Sequence, residues 1–288
     1  MKQAPEKEHI KLWRDPGLPQ LDLMRATYVR QCFSRHTHEG FAVGVIENGA
    51  LGFFYRGENI VADRGAVNLA NPDEAHTGQA AVPEGWTYRM FYFPADTMRA
   101  AACQIAGRNV QMPFFKMGML RDDQLAGLIR EAHRSFEDAK SALLEKESLF
   151  LGMLSHLIRT HSDASPGIHS LGNERSPIRR ARDYIEAHYN EDISIRSLAS
   201  IAGLSPFHFI RAFHKEMGLP PHGYLKQARV RRARNLLDRG WSIANAALEA
   251  GFADQSHLAR NFKRVLGITP GQFSNFVQDG QRHARHNR

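Results

Sequence analysis

The stretch Ser194 to Tyr224, SIRSLASIAGLSPFHFIRAFHKEMGLPPHGY, returns as Ser242 to Phe273, SIANAALEAGFADQSHLARNFKRVLGITPGQF, and the reading of this pair decides the fold of the second half of the chain. Laying Ser194-Ile195 on Ser242-Ile243 matches Ala199 with Ala247 and Gly203 with Gly251. After a one-residue insertion in the second copy, His208 meets His257, Arg211 meets Arg260, Phe213 meets Phe262, Gly218 meets Gly267 and Pro221 meets Pro270. The identities fall where a helix, a turn and a second helix need them, so the pair reads as an internal repeat.

Each copy has a physical sense of its own. In the first, Ile195, Leu198, Ala199 and Ile201 give a short helix its apolar side, and Gly203 stops it at a position that tolerates positive φ. Ser205-Pro206 then opens a second helix, serine as N-cap and proline at the first helical position. Phe209, Phe213 and Met217 form its expected buried stripe, with Phe207, His208, Ile210, Arg211, His214 and Lys215 on the exposed side. In the second copy Ile243, Ala246 and Ala247 make the first helix, Gly251 the turn and Asp254 the N-cap. There Leu258, Phe262 and Leu266 are expected inward, and Gln255, Ser256, His257, Arg260, Lys263 and Arg264 outward. Amide and guanidinium groups on the first turns of such helices suit base edges in a DNA major groove; a solvated helix face is the plainer use.

A helical stretch from about His222 to Arg239, ended by Gly240, joins the copies and holds them at a fixed separation. Its Arg229, Arg231, Arg232 and Arg234 suit phosphates or carboxylates, and a solvated helix face is the plainer use of any one of them. Charge divides the chain in the same way. Residues 177–288 carry 18 Lys+Arg against 9 Asp+Glu, whereas the preceding residues carry 20 against 21, so the net charge of +8 resides in the repeat-bearing part. Nucleic acid, with its condensed counterions, is the partner such a surface attracts.

Three runs carry a family resemblance: Ile243-Ala244 through Gly251-Phe252; Asp254-Gln255-Ser256-His257-Leu258-Ala259-Arg260-Asn261-Phe262-Lys263; and Gly267-Ile268-Thr269-Pro270-Gly271-Gln272-Phe273. With them, the region from about Pro177 to Phe276 resembles the DNA-binding domain of AraC/XylS-family transcription regulators. The resemblance implies a seven-helix domain with two helix-turn-helix units whose reading helices fall on residues 206–217 and 255–266. It also implies that Phe207, Ile210 and Arg211, and Gln255, Ser256, His257 and Arg260, turn towards DNA. His208, Lys215 and Lys263 on the same outer faces complete the candidate contacts. Ile210 departs from the polar residue many members carry, and an apolar contact to a thymine methyl suits it.

A length of 288 residues allows about two domains, and 42% apolar composition supplies a core for each. The expected division is a sensor domain over 1–161, a linker over 162–176, the double helix-turn-helix domain over 177–276 and a basic tail over 277–288. Residues 162–167 and 172–174 concentrate turn formers without periodicity, which marks the linker. No apolar run is long enough to span a bilayer and the first residues have no secretory apolar core, so a cytoplasmic, non-membrane protein is expected. Cys32 and Cys103 have no metal or redox spacing and are expected as reduced packing residues.

The first domain reads as β-rich to about residue 93 and helical thereafter. Phe41–Ile46 and Ala50–Tyr55 flank Asn48-Gly49, a two-residue hairpin signal, and further strands fit Asn59–Ala62, Ala66–Leu69 and Thr87–Phe93. Short strands with turn chemistry between them favour a sandwich or jelly-roll barrel. Two amphipathic stripes follow: Leu125, Leu128, Ile129, Ala132 and Phe136, then Leu149, Phe150, Met153, Leu154, Leu157 and Ile158. They can pack on the barrel or pair two subunits; the resemblance favours a homodimer.

The sharpest constellation in this domain is His36-Thr37-His38, with His76 following Asn71-Pro72-Asp73-Glu74-Ala75. On a strand His36 and His38 share a face, and His76 can meet them from a neighbouring strand. This resembles a cupin, the barrel of the sensor in many AraC-type regulators, and three imidazoles suit a divalent metal. The pattern departs from metal cupins, because Glu39 directly follows His38 and no Pro-x-Gly precedes His76. The expectation is therefore an organic effector site with no metal and no cofactor, beside the plainer use of any one histidine as a core residue satisfied by a backbone carbonyl. Thr87–Phe93 alternates Tyr88, Met90 and Tyr92 on one face with Arg89, Phe91 and Phe93 on the other, and the tyrosine face suits a pocket with an apolar body and directional polar tips. Effector contacts are expected from His36, His38, His76, Tyr88 and Tyr92, with Trp86 as a further candidate.

The reading is an α+β chain of two domains: an N-terminal cupin-like β-barrel followed by helices, and a C-terminal all-α double helix-turn-helix domain. Its expected role is a sequence-specific transcription regulator of double-stranded DNA, controlled by a small-molecule effector and engaging the transcription machinery, with no catalytic residues. Two alternatives stay open: a metal-dependent cupin enzyme fused to a DNA-binding domain, and an architectural DNA-binding protein.

Overall fold

A computed structural model describes residues 8–163, 175–266 and 268–275. Most of the linker, Gly267 and the basic tail lie outside the described residues. By internal contacts the chain separates into two units, 1–139 with 149–170 and 140–148 with 171–288.

The first unit is built on antiparallel strands: β1 (His9–Arg14), β2 (Asp22–Tyr28), β3 (Phe33–His36), β4 (Phe41–Tyr55), β5 (Glu58–Asp63), β6 (Val67–Ala70), β7 (His76–Ala80) and β8 (Trp86–Phe93). After α1 (Ala95–Ala106), the short β9 (Met119–Leu120) adds to β6. One path runs β1-β2-β8-β4-β6-β9, while β5 and β7 pair with the far half of β4, and β3 pairs with β7. This cupin-like sheet is open rather than a closed barrel, and β4 belongs to both of its halves.

The Asn48-Gly49 hairpin is corrected by β4, which runs unbroken through these residues. A type I′ turn needs positive φ at both central residues, and of the two only Gly49, at φ 68°, has it. The register against β8 shifts between Ile46 and Asn48, so the pair forms a bulge at which β4 passes from one half of the sheet to the other. A Cβ on Gly49 would stand 1.9 Å from the Gly85 carbonyl oxygen, which fixes glycine there. The hairpin lies one turn further on, where Arg56 (φ 51°) and Gly57 (φ 90°) join β4 to β5 and Tyr55 faces Glu58.

Helices α2 (Asp123–Glu137) and α3 (Leu143–His161) follow. Asp122 caps α2 by accepting the Leu125 N–H at 2.8 Å. Leu125, Ile129, Ala132 and Phe136 are buried with Leu128 half-buried, and Leu149, Phe150, Met153, Leu154, Leu157 and Ile158 are buried, so most of both apolar stripes packs within the chain. The outward face of β8 supplies part of their seat: the Phe91 ring lies 5.6 Å from Phe150 and 6.1 Å from Phe136. Between them sits a buried charge, Arg89, with Nη1 2.8 Å from Glu137 and 3.0 Å from His133 Nδ1, while Nε lies 3.5 Å from Glu47. A guanidinium left unpaired at that depth would cost several kcal/mol, roughly 3–5 on removal of its partner.

In the second unit α4 (Arg175–Ala187), α5 (Ile195–Ala202), α6 (Pro206–Met217), α7 (Pro221–Asp238), α8 (Ile243–Glu249) and α9 (Gln255–Leu266) precede a further helical stretch at 270–275. Val230, Ala233, Leu236 and Leu237 of α7 form one core with Ala246, Ala247, Phe252, Leu258 and Phe262. Residues 140–148, expected in the first domain, group with this unit because their polar groups are satisfied here. Buried Glu147 accepts the Ile195 N–H at the start of α5 (2.6 Å), Glu145 binds Lys226 at 2.5 Å, and Lys140 pairs with Asp254. Cys32 is exposed, correcting its expected packing role, and Cys103 is half-buried; both are free thiols.

Candidate functional site

The two helix-turn-helix units are set by their caps. Ser194 accepts from Ser197 N–H in a capping box, Ser205 from His208 N–H with Pro206 at the first turn, Ser242 from Asn245 N–H, and Asp254 from His257 N–H at 2.7 Å. The tight turn between α8 and α9 requires Gly251: its φ is 80°, and a Cβ would meet Asn190 Cα at 2.8 Å and Arg229 Nε at 3.0 Å.

On α9, Gln255, Ser256, Arg260 and Lys263 are exposed together with Arg264. On α6, Lys215 is exposed and His208, Ile210 and Arg211 are half-buried. Two expected contacts are corrected. Phe207 is only 4% exposed, on the inner side of α6 with Phe209, Ala212 and Phe213, where burying such a ring is worth about 1.5–3 kcal/mol. His257 turns inward, its ring edge-on to Phe252 at 5.3 Å in a small cavity shared with His222 and Leu225. Conversely Leu266, expected inward, is exposed at the end of α9.

The arginines of α7 serve the fold. Arg229 donates to the carbonyls of Tyr189 (2.6 Å) and Glu191 (3.0 Å), Arg231 pairs with Glu186, and Arg232 and Arg234 lie over the rings of Tyr189 and Phe273. Arg231 therefore takes the carboxylate use read from the sequence, whereas Arg229 is held by backbone carbonyls, which the sequence did not indicate.

In the first unit a cavity of about 1060 Å³ opens between the halves of the sheet. Its wall brings together His36, His38, His76, Tyr88 and Tyr92, with Trp86, Met24 and Met90. Met90 shares the tyrosine face of β8, so that face points inward and Arg89 and Phe91 point out. The β3–β7 pairing sets His36 opposite His76, with ring centroids 4.4 Å apart. His38 stands beyond the end of β3, yet its ring lies 5.0 Å from each of the other two and 5.4 Å from Tyr92. The loop before His76 is anchored by buried Asn71, which donates to Tyr55 OH (2.9 Å) and the Phe115 carbonyl (2.7 Å) and accepts the Phe115 N–H (3.1 Å).

Burial, then the neighbouring His76 and His36, lowers the His38 pKa to about 4; burial also lowers His76. Burial pushes the Tyr92 phenol up to about 12 and that of Tyr88 far above its ordinary value. At neutral pH these tips are therefore uncharged hydrogen-bonding groups in an apolar wall. Sequence reading missed Met24 because it assigned no strand to 22–28, although Leu23, Ala26 and Tyr28 bury there within a 22–28 strand flanked by loops. A second cluster, also missed, joins Asp122 to His156 and His161, whose Nε2 atoms lie 2.8 and 2.7 Å from one carboxylate oxygen. Its members stand more than 30 residues apart, and no spacing announces them.

Paired helix-turn-helix units with a cationic outer face on α9, carried on one chain with a sheet domain that encloses a polar-tipped cavity, define a ligand-responsive DNA-binding protein. Residues 198–275 match the family described as a helix-turn-helix domain, and residues 18–154 match the AraC-like ligand binding domain. The chain is 30% identical over 253 residues to the uncharacterized HTH-type transcriptional regulator YbfI of Bacillus subtilis (strain 168), covering 88% of this chain and 90% of that one. It is similar, at 30% identity and a TM-score of 0.34, to a probable AraC family transcriptional regulator from Rhodopseudomonas palustris CGA009, over 35% of this chain and 97% of that one. A similar match, at 26% identity and a TM-score of 0.35 over 37% of this chain and 96% of that one, is the DNA-binding domain of AdpA, the global transcriptional factor, solved with a target DNA. The chain belongs to the AraC family of helix-turn-helix transcription regulators. It is a sequence-specific DNA-binding regulator controlled by a small-molecule effector. Among the described residues no helix is long and apolar enough to cross a membrane.

Proposed function

We propose that α6 and α9 enter successive major grooves on one face of DNA, reading it through His208, Ile210, Arg211 and Lys215 and through Gln255, Ser256, Arg260 and Lys263. The observation that carries this reading is the exposed polar and cationic face of α9, repeated in sequence on α6. Gln255 and Arg260 have the donor geometry for base edges, while Lys215 and Lys263 suit phosphates. The effector occupies the cavity of the first unit against His36, His38, His76, Tyr88 and Tyr92, and favours one population of the full chain over another. The protein acts in the cytoplasm without catalysis, as a homodimer that recruits the transcription machinery. Because most of the apolar stripes of α2 and α3 is buried within the chain, other surface supplies the bulk of the dimer interface, and sedimentation of the full chain tests the dimer.

Hydroxyl-radical footprinting on a selected operator tests the DNA reading. Two protected segments centred about 10 bp apart on one face are expected, and Gln255→Ala should weaken only one of them. A single short footprint would reduce one repeat to a structural partner.

A further inference from the structure

The imidazoles of the cavity wall have a feature that hydrogen bonding within the protein does not use. His36 Nδ1 lies 2.8 Å from the Ser34 carbonyl oxygen and His76 Nδ1 lies 3.0 Å from that of Glu74. A carbonyl only accepts, so each Nδ1 donates to it, and Nε2 is the ring nitrogen these two contacts leave open to a ligand. One nitrogen from each of His36, His38 and His76 lies within 4.8 Å of the others. Three imidazole nitrogens that close together form a ligand set for a single ion. A carbonyl on the far nitrogen is the arrangement that fixes the tautomer of a metal-bound imidazole and raises its basicity.

The second cluster of this chain provides the contrast. His156 and His161 both aim Nε2 at Asp122 Oδ2, so donors meet an acceptor and the group is complete without an ion. At the cavity no carboxylate joins the three histidines in the group. The remaining charged groups on the cavity wall are Arg14, Asp22, Glu39 and Asp96, and Arg14 is paired with Asp22 at 2.7 Å. An anionic effector would therefore find no unpaired cationic side chain among the described lining residues.

We propose that His36, His38 and His76 bind a divalent first-row transition ion, and that its open position faces the cavity and takes a carboxylate oxygen of the effector. Three imidazole ligands suit zinc, cobalt, nickel or copper in preference to magnesium or calcium. Three protein ligands with one free position form a site that accepts a further oxygen donor. The spacing of the histidines in sequence counted against a metal; the convergence comes instead from the β3–β7 pairing and from the loop carrying His38. The identity of the ligand rests on the cavity being the effector site, whereas the ion does not.

The test uses the full chain, stripped with chelator and titrated with zinc and cobalt chloride. One ion per chain is expected, with a visible cobalt absorption spectrum and a raised melting temperature. His36→Gln and His76→Gln should each weaken the ion at least about tenfold, while His156→Gln should leave it bound. Malonate and a panel of hydroxy and amino acids should then bind the zinc-loaded chain at least about tenfold more tightly than the stripped chain and perturb the cobalt spectrum. Wild-type protein that takes up no stoichiometric ion overturns the proposal whatever the variants do, as does uptake unchanged in folded His36→Gln and His76→Gln. Equal binding of carboxylates to loaded and stripped chain overturns the ligand assignment. Effectors that bind only metal-free protein would sink the ion and keep the cavity reading, while an ion with no organic ligand would do the reverse.

Discussion

At the scale of single residues, position on the repeat and burial jointly decide a side chain's role. Arg211 and Arg260 occupy equivalent places in the two copies; Arg260 is exposed and Arg211 half-buried. Arg211→Ala and Arg260→Ala should each weaken specific binding by about 1–3 kcal/mol in fluorescence anisotropy, with a smaller loss on a scrambled duplex. Equal losses on both duplexes would assign these arginines to phosphate alone. Phe207→Ala belongs to another category: with 4% of the residue exposed, its loss should lower the melting temperature of the second unit before it alters base preference. Ile210→Ala, where a short apolar side chain remains, should leave stability nearly intact and relax preference at one thymine.

At the scale of elements, the helices of the second unit depend on caps and a few large anchors. The Ser194 box satisfies two groups at the start of α5, so Ser194→Ala should cost about 1 kcal/mol by chemical denaturation. Phe262, fully buried among Leu258, Ala246, Ala247 and Phe252, holds α9 to α7 and α8. Phe262→Ala should cost about 3–5 kcal/mol and abolish specific DNA binding through unfolding. Retained binding by a stable Phe262→Ala protein would show that α9 is positioned by something else. Local signals made these elements legible: the period of apolar residues, a capping serine or aspartate and a glycine stop all lie within the span of one short helix and its two ends. Strands gave weaker signals, and 22–28 passed unread because its pairing with β1 and β8 is specified by distant residues.

At the scale of the whole molecule, buried histidines make stability depend on pH. His133 donates from Nε2 to the Met24 carbonyl at 3.1 Å and accepts at Nδ1 from Arg89, so a second ring proton would face a guanidinium. Burial, then Arg89, lowers its pKa to about 4. His222 is lowered to about 4 by burial and then Lys226. The folded state therefore binds fewer protons than the unfolded chain between pH 6.5 and 4. Stability from these groups is complete above about pH 6.5 and is lost as pH falls towards 4; for fully buried His133 the loss reaches about 3 kcal/mol. Denaturant titrations at pH 7.5, 6.0 and 5.0 should show this decline, with a shallower slope in His133→Gln. A flat profile would place the proton elsewhere. At neutral pH, an effector at 100 times its dissociation constant should add about 2.7 kcal/mol, provided the unfolded chain does not bind it.

The sequence by itself determined the two-part organisation, the duplicated helix-turn-helix, its caps and turns, and the concentration of positive charge around it. Each of these is written in neighbouring residues or in a sum over many. It also marked the three histidines and the alternating tyrosine strand. Tertiary structure alone decided that Asn48-Gly49 is a bulge and not a turn, because Gly85 of a remote loop presses on that backbone. It also decided that Phe207 and His257 lie inward, since the side of a helix that meets its neighbours depends on how those neighbours pack. Above all it decided the convergence of His36, His38 and His76: strand pairing sets His36 across from His76 over 40 residues of chain, and that register is fixed by the sheet as a whole.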